Sequence, residues 1–282
     1  MKRVGCFTIR LLLSTTFTRS VGLAVVFPRF LSSPRRIGFF CHDESIRFPK
    51  VADTISDGMV ALVALVLPLA LIALTEVVRT GRAVPSGLSW RGAGVPLWLV
   101  RVYRHTGVFI LGAGLAEITV DVAKNYVGRL RPNFLAACNP VTPGDRPGDT
   151  SSYTKLCAAA TPGNPVYVPP EAYYCLGDPA DEREARASFP SGHSVLAFYA
   201  AVYLGLFVQA RLQRLSGTLA LLRPVVQWLF LLAAWWIALS RIVDHVHHPG
   251  DVLAGALIGT VFAALHVFLV SGLFDREQAP AD

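Results

Sequence analysis

Three separated stretches of the sequence carry side chains suited to phosphate chemistry. They are the segments Lys124 to Pro132, Pro190 to His193 and Ser240 to Asp251. Between them they offer histidines, a carboxylate and basic side chains, which are the groups that can attack, protonate and hold a phosphoryl group. The combination predicts a phosphatase site assembled from distant parts of the chain.

The first stretch predicts an anion clamp. Lys124 and Arg131 are seven residues apart, or about two turns of helix, so we expect both on nearly the same face at the outer end of one helix. Pro132 biases Arg131 away from helical geometry and lets the chain leave the membrane there. Lysine offers a compact charge and arginine a planar fork for paired oxygens. A structural alternative is that both snorkel at a helix end, with Asp121 pairing Lys124.

The second stretch predicts a helix start that binds an oxyanion. Ser191 is a suitable N-cap, and the free N–H groups of a helix N-terminus attract anions. Gly192 lets the backbone approach an oxygen closely. His193 would then stand beside the phosphate and donate a proton to the leaving alcohol. The alternative is a simple capped helix start with an interfacial histidine.

The third stretch is the most specific. Arg241 ends one predicted helix, and Asp251 opens the next within reach of His247, about one helical turn earlier. We expect Asp251 to hold one ring nitrogen of His247, which leaves the other as a nucleophile. The carboxylate would also stabilise the charged ring formed on attack. Arg241 joins the two basic side chains of the first stretch around the phosphoryl oxygens.

A metal site is the rival interpretation of the third stretch. His245, His247, His248 and Asp251 are residue types that bind zinc. The three basic side chains and the helix N-terminus already provide for phosphate charge, so the sequence requires neither a metal nor another cofactor. We assign no role to His245 and His248.

Composition places this chemistry in a membrane. The 282 residues are 53% hydrophobic and 16% charged, with a mean hydropathy of +0.47, whereas soluble domains are about a quarter charged. The net charge of +7 could suggest nucleic-acid binding, but the basic residues lie between apolar segments and form no stripe with interleaved aromatics. We therefore expect the bilayer, and no nucleic acid, as the partner.

The predicted fold is all-α, an integral membrane six-helix bundle. A spanning helix needs roughly 20 apolar residues, and the segment Val4 to Phe30 is predicted as a poor first helix because Arg10 and Arg19 interrupt it. The alternative for that segment is a peripheral or processed leader. The five better predicted helices are Gly58 to Val78, Thr106 to Val120, Val195 to Ala210, Val225 to Leu239 and Val252 to Val270.

The arginine-rich loops predict the orientation, because Lys and Arg collect in short cytoplasmic loops. The loops Arg79 to Arg104 and Arg211 to Arg223 are predicted to be cytoplasmic. Alternation then places the segment 133–189 and the turn around His247 at the exterior or lumen of the plasma membrane or an internal membrane. The first loop disagrees with this rule, since it is predicted outside and yet carries Arg35, Arg36, Arg47 and Lys50.

The segment 133–189 is predicted as a long irregular extracytoplasmic loop within a single domain, 1–282. It is rich in Pro, Gly and acidic residues and lacks apolar periodicity. Four cysteines are predicted on this oxidising face, which allows three pairings, and we expect at least one disulfide. Metal ligation is less favoured because these cysteines form no CxxC pair. The four are Cys41, Cys138, Cys157 and Cys175, whereas Cys6 is predicted as a cytoplasmic free thiol.

Together the three stretches resemble the signatures of the lipid phosphate phosphatases, a branch of the type 2 phosphatidic acid phosphatase superfamily. The run Lys124 to Leu135 is similar to the first signature of that branch, and the segment Gly38 to Arg47 resembles the one that follows its first helix. The resemblance extends over about Arg36 to Gly255.

The resemblance implies six bundled helices whose signatures meet at the outer surface, and dephosphorylation through a phosphohistidine without magnesium or another cofactor. It implies His247 as nucleophile, His193 as general acid and Asp251 as the residue that orients the nucleophile. It further implies phosphatidate, lysophosphatidate, ceramide phosphate or sphingosine phosphate as substrate. The implied phosphate-binding residues are Lys124, Arg131, Ser191, Gly192 and Arg241.

Two other functions are compatible with the same residues. One is hydrolysis of a soluble phosphate ester, and the other is a membrane transporter or scaffold that binds phosphate without turnover. A homo-oligomer also stays open, because Gly255 and Gly259 form a GxxxG pair that suits close packing within the bundle or between protomers. We expect internal packing.

Overall fold

Five long helices dominate the computed structural model, which describes residues 33–81, 83, 89–90, 93–142, 152–161, 163–213 and 217–274. Within these residues the five helices are long and apolar enough to cross a bilayer. Each contains one of the five better predicted segments, so the all-α class is confirmed. The predicted helix Val4 to Phe30 and Cys6 lie outside the described residues. The helices are α1 (Asp57–Thr80), α2 (Leu97–Val127), α3 (Gly192–Arg211), α4 (Leu222–Val243) and α5 (Pro249–Val270).

Local sequence explains where the helices begin and end. The Ser56 hydroxyl caps α1 by accepting from the Met59 N–H at 3.3 Å, and Asp57 complements the positive helix N-terminus. Helix α2 ends at Val127, and Gly128 caps it in the left-handed region at φ 61°. A Cβ at Gly128 would also lie 2.2 Å from the Arg35 carbonyl oxygen, so only glycine allows this close turn.

Helix α3 is the centre of the bundle. Its buried tyrosines hydrogen-bond to α2: the Tyr199 hydroxyl donates to the Phe109 carbonyl at 2.8 Å, and Tyr203 donates to the His105 carbonyl at 3.2 Å. These bonds satisfy polar groups that would otherwise be costly in an apolar core. They also fix the position of α3 relative to α2.

Helix α5 packs against α3 through its two glycines. A Cβ at Gly255 would lie 2.6 Å from the Ser191 carbonyl oxygen, and one at Gly259 would lie 2.2 Å from that of Val195. Two backbones can approach this closely only where a side chain is missing. The GxxxG pair therefore packs inside the bundle, as predicted.

The outer surface of the bundle is apolar. Helix α4 exposes Trp228, Trp235 and Trp236, each more than half accessible, and α5 exposes Leu253 and Leu257. Exposed apolar surface of this extent is typical of a protein face that contacts the lipid bilayer. The chain is therefore a multi-pass membrane protein.

Short elements lie outside the five long helices. The described part of the segment 133–189 contains three short helices, Phe134–Cys138, Ser152–Leu156 and Pro179–Ala185, so the predicted irregular loop carries some regular structure. Three antiparallel strand pairs are also present among the residues that the structure describes. They are β1 (Phe39–Phe40) with β5 (Tyr167–Val168), β2 (Ser89–Trp90) with β3 (Ala93–Gly94), and β4 (Pro140–Val141) with β6 (Tyr174–Cys175).

Two disulfides decide the pairing that the sequence left open. Cys41 bonds to Cys157 and thereby joins the segment before α1 to the long loop. Cys138 bonds to Cys175 within that loop. The segment before α1 and the long loop therefore lie at the same end of the bundle.

The basic residues of the first loop lie against acidic residues of the long loop. Lys50 Nζ is 2.5 Å from Asp181 Oδ2, and Arg36 Nη2 is 4.0 Å from Glu182 Oε1. The basic side chains of this loop therefore pair with acidic residues. This explains why the loop is basic although the alternation of the helices places it on the same side of the membrane as the long loop.

Candidate active site

Six of the eight predicted site residues line one cavity. The cavity has a volume of about 390 Å³ and lies at the end of the bundle that the long loop covers. Two predicted residues, Ser191 and Asp251, are fully buried behind its wall. The six lining residues are Lys124, Arg131, Gly192, His193, Arg241 and His247.

The first stretch reaches the cavity by a different route from the one predicted. Helix α2 ends at Val127, so the prediction that Lys124 and Arg131 lie on one helix face is wrong. Gly128 turns the chain, and the Arg131 N–H then donates to the Ala185 carbonyl at 2.8 Å. Arg131 is thus held by the long loop and still shares a cavity with Lys124.

The second stretch begins α3 as predicted. Ser191 is the N-cap, and its hydroxyl accepts from the Ser194 N–H at 3.5 Å. A Cβ at Gly192 would lie 3.7 Å from Lys124 Nζ and 4.0 Å from Glu117 Oε2. The start of α3 therefore faces both a cation and a carboxylate.

His193 projects from the first turn of α3 into the cavity. Its Nε2 lies 3.3 Å from Asp57 Oδ1 and 3.5 Å from Arg241 Nη1. Asp57 belongs to the first turn of α1, and its side chain is 92% exposed. The imidazole therefore lies between a carboxylate that can accept a hydrogen bond from it and the guanidinium of Arg241.

Arg241 is almost completely buried at the end of α4. Its guanidinium donates to Asp53 Oδ1 at 3.0 Å and to Asp244 Oδ2 at 2.6 Å. The second carboxylate also accepts from the Thr54 N–H at 2.9 Å and from the Thr54 hydroxyl at 2.6 Å. This network fixes the guanidinium plane and ties the segment before α1 to the end of α4.

His247 lies in the turn between α4 and α5 and is 3% exposed. Burial lowers the pKa of its imidazole well below 6.5, and the nearby charges of Arg131 and Lys124 lower the pKa further. The ring is therefore neutral near pH 7, as a nucleophile must be.

Asp251 does not make the predicted hydrogen bond to His247 and contacts other groups instead. Its Oδ2 lies 4.0 Å from His247 Nδ1, which is too long for a hydrogen bond. Its oxygens accept from Arg129 Nη1 at 2.6 Å, from the Ser188 hydroxyl at 2.6 Å and from the His248 N–H at 3.1 Å. Among the described residues, His247 Nδ1 has no hydrogen-bond partner.

The sequence interpretation missed the carboxylates that surround the predicted cations. Glu184 Oε2 accepts from Arg131 Nη1 at 3.1 Å, Asp53 pairs with Arg241, and Asp57 pairs with His193. The spacing of Asp53, Asp57 and Glu184 carried no signal, because they belong to the segment before α1, the first turn of α1 and the long loop. The four carboxylates that line the cavity are Asp53, Asp57, Glu117 and Glu184.

The remaining histidines of the third stretch point elsewhere. The His245 ring stacks on Phe48 with centroids 4.4 Å apart, and His248 Nε2 lies 3.0 Å from the Leu130 carbonyl oxygen. Throughout the part of the chain that the structure describes, no three His, Cys, Asp or Glu side chains form a metal-ligand group.

An apolar wall completes the cavity. Val60, Ala61 and Leu65 of α1 and Leu196 of α3 line it beside the polar groups. The site can therefore hold a phosphoryl group among cations and, at the same time, an apolar chain along α1.

Comparisons with known proteins agree with this chemistry. Residues 106–274 match the family model described as PAP2 superfamily. A putative phosphatidate phosphatase of Drosophila melanogaster is 34% identical over 98% of this chain and 72% of its own length. Phospholipid phosphatase 2 of Homo sapiens is 38% identical over 86% of this chain and 76% of its own length. Phospholipid phosphatase 1 of Rattus norvegicus is 32% identical over 92% and 83%, respectively. No solved structure gives a significant match.

Proposed function

The chain belongs to the PAP2 superfamily, and we propose that it is an integral membrane lipid phosphate phosphohydrolase that acts through a phosphohistidine on His247. The proposed substrates are phosphatidate, lysophosphatidate, ceramide phosphate and sphingosine phosphate. The observation that carries the proposal is the single cavity in which His247, His193 and the basic side chains adjoin an apolar wall.

In the first half-reaction, neutral His247 attacks phosphorus and the ester P–O bond breaks. His193 gives its proton to the leaving alcohol. Lys124, Arg131 and Arg241 bind the phosphoryl oxygens, together with the N–H groups at the start of α3 near Gly192. In the second half-reaction, water attacks phosphorus, the N–P bond breaks and inorganic phosphate leaves.

Ser191 and Asp251 act from behind the cavity wall. Ser191 supports the phosphate site by capping α3. Asp251 holds the turn that carries His247 and stabilises the imidazolium formed on attack, across the 4.0 Å that separates them. The acyl chain of a lipid would lie along Val60 and Leu65, which favours a lipid over a soluble ester.

The proposed active site faces the cell exterior or the lumen. Arginines accumulate at the opposite ends of α1, α2 and α3, where Arg79, Arg101 and Arg211 lie, and such residues favour the cytoplasmic side. The substrate would then reach the site laterally from the outer leaflet.

Phosphate release from phosphatidate micelles in the presence of a chelator tests this proposal. We expect wild-type activity to survive chelation, because protein cations bind the phosphoryl oxygens. His247→Ala and His193→Ala should each lose at least about 100-fold in kcat. His42→Asn, a change in an exposed histidine of the segment before α1, is the matched control and should retain activity. Full activity of His247→Ala would disprove the mechanism, and binding without turnover by the wild type would indicate a non-catalytic phosphate-binding protein.

A further inference from the structure

A second, smaller cavity adjoins the candidate active site on the side of the long loop. This side chamber has a volume of about 70 Å³. It shares Asp53, Arg131, Glu184 and Val246 with the wall of the larger cavity. Arg131, a predicted phosphate-binding residue, is therefore part of the wall between the two cavities.

The inner wall of the side chamber carries polar atoms that lack partners. The Asn133 side chain is more than nine-tenths buried, and that of Arg131 is 13% exposed. Within the described part of the chain, Asn133 Oδ1 and Arg131 Nε are buried without a hydrogen-bond partner. Buried polar atoms of this kind are costly unless a polar ligand satisfies them.

Water fits this space better than phosphate does. A water needs roughly 10–15 Å³ of such volume and two to four polar partners, so the side chamber has room for more than one. Its charged lining consists of two cations, Lys50 and Arg131, and three carboxylates, Asp53, Asp181 and Glu184. The excess of one negative charge disfavours a phosphate dianion and leaves water as the ligand.

The outer rim of the side chamber meets solvent. Lys50 and Asp181 form their ion pair at this rim, and their side chains are 53% and 39% exposed. The apolar residues Val60 and Leu65 line only the larger cavity. Lipid and water therefore have separate approaches to the same phosphoryl group.

We propose that the side chamber holds and delivers the water that hydrolyses the phosphoenzyme. This inference rests on the proposed function. The water oxygen attacks phosphorus while the N–P bond to His247 breaks, and inorganic phosphate is released. His193, which lost its proton to the leaving alcohol, takes one proton from the attacking water, so both histidines return to their starting states.

Rapid-quench kinetics on the full chain in detergent micelles, with ³²P-labelled phosphatidate, tests the proposal. Asn133→Leu removes the polar lining at nearly constant volume, and the Asn133 side chain makes no cap hydrogen bond that would be lost. We expect the burst of diacylglycerol to persist, phosphate release to slow by about fivefold or more, and trapped phosphoenzyme to accumulate. Asn133→Asp keeps an acceptor oxygen and should restore phosphate release.

Ala137→Val narrows the same chamber and repeats the test if Asn133→Leu does not fold. Its matched control is Ala210→Val, another buried alanine at the far end of α3, which should leave both steps unchanged. Phosphate release at the wild-type rate in both chamber variants, or equal slowing of both steps, would overturn the proposal. If the wild type forms no phosphoenzyme, the covalent mechanism of the proposed function fails. The role of the side chamber in supplying water then stands only if the two chamber variants slow phosphate release and Ala210→Val does not.

Discussion

Arg129 and Asp251 form a 2.6 Å ion pair that connects the end of α2 to the start of α5. The same carboxylate accepts from the Ser188 hydroxyl, and the Asp251 carbonyl accepts from the Ser191 N–H at 3.1 Å. One residue thus joins all three phosphate-binding stretches. Its contacts suggest that Asp251 assembles the site as well as stabilising His247.

Removing a hydrogen bond to the Asp251 carboxylate should therefore slow the chemical step. We expect Arg129→Gln and Ser188→Ala each to lower kcat by about 10- to 100-fold, because each removes a hydrogen bond to a buried charge worth roughly 1.5–3 kcal/mol. Neither side chain lines the cavity, so KM should change little. Steady-state kinetics on phosphatidate micelles measure both constants.

The control for this pair is Arg47→Gln, which breaks an exposed ion pair with Glu44 and should keep wild-type kcat. A rise in KM at constant kcat in the Asp251-contact variants would assign Arg129 and Ser188 to substrate binding instead.

The pH profile should reveal the lowered pKa of His247. Because its pKa lies well below 6.5, the imidazole stays neutral as the pH falls, and activity is lost only when the pH passes through that lower value. Measuring kcat/KM against pH locates this acid limb.

Arg131→Gln provides the sharper form of this measurement. The positive charge of Arg131 lowers the pKa of His247, so its removal should raise that pKa and move the acid limb to higher pH. The ionisation of the substrate is the same for both proteins and cancels in the comparison. An acid limb that stays in place would argue against His247 as the titrating nucleophile.

The disulfide within the long loop should support both stability and activity. Cys138 and Cys175 are 37 residues apart, and losing a native disulfide of this kind costs about 2–5 kcal/mol. The helix Pro179–Ala185 that follows holds Arg131 through the Ala185 carbonyl. We expect the double change to alanine to lower both the melting temperature and kcat.

Reductant is the complementary measurement for this disulfide. It should lower the melting temperature of the wild type more than that of the double variant. Cys6→Ser is the control and should behave as the wild type, because Cys6 is predicted to be a free thiol. A double variant as stable as the wild type would show that the loop holds its shape without the bond.

Two glycines of the bundle should respond oppositely to alanine. Gly259→Ala should destabilise the protein, because the new Cβ would lie 2.2 Å from the Val195 carbonyl oxygen. Gly107→Ala in α2 should be neutral or stabilising, because nothing lies within 4 Å of its Cβ position and alanine favours helix by about 1 kcal/mol. Melting temperatures in detergent check both, and equal effects would contradict the close α3–α5 packing.

The sequence predicted most of the bundle, and six of the eight site residues that it singled out line one cavity. The five better predicted helices lie within the observed ones, because a membrane span is a local run of apolar residues. The cap at Ser191 follows from residue type alone. The single helix proposed for Lys124 and Arg131 failed because Gly128, which ends α2, makes a turn that residue spacing does not reveal.

By itself the sequence determined that this is a helical membrane protein with phosphate chemistry, because apolar runs and short motifs are properties of neighbouring residues. Tertiary structure decided the disulfide pairing, the carboxylates beside Arg131 and Arg241 and the contacts of Asp251. Those features depend on contacts between distant segments, such as Asp53 with Arg241, which are 188 residues apart. No local spacing encodes them, since they exist only after the helices pack and the long loop closes over one end of the bundle.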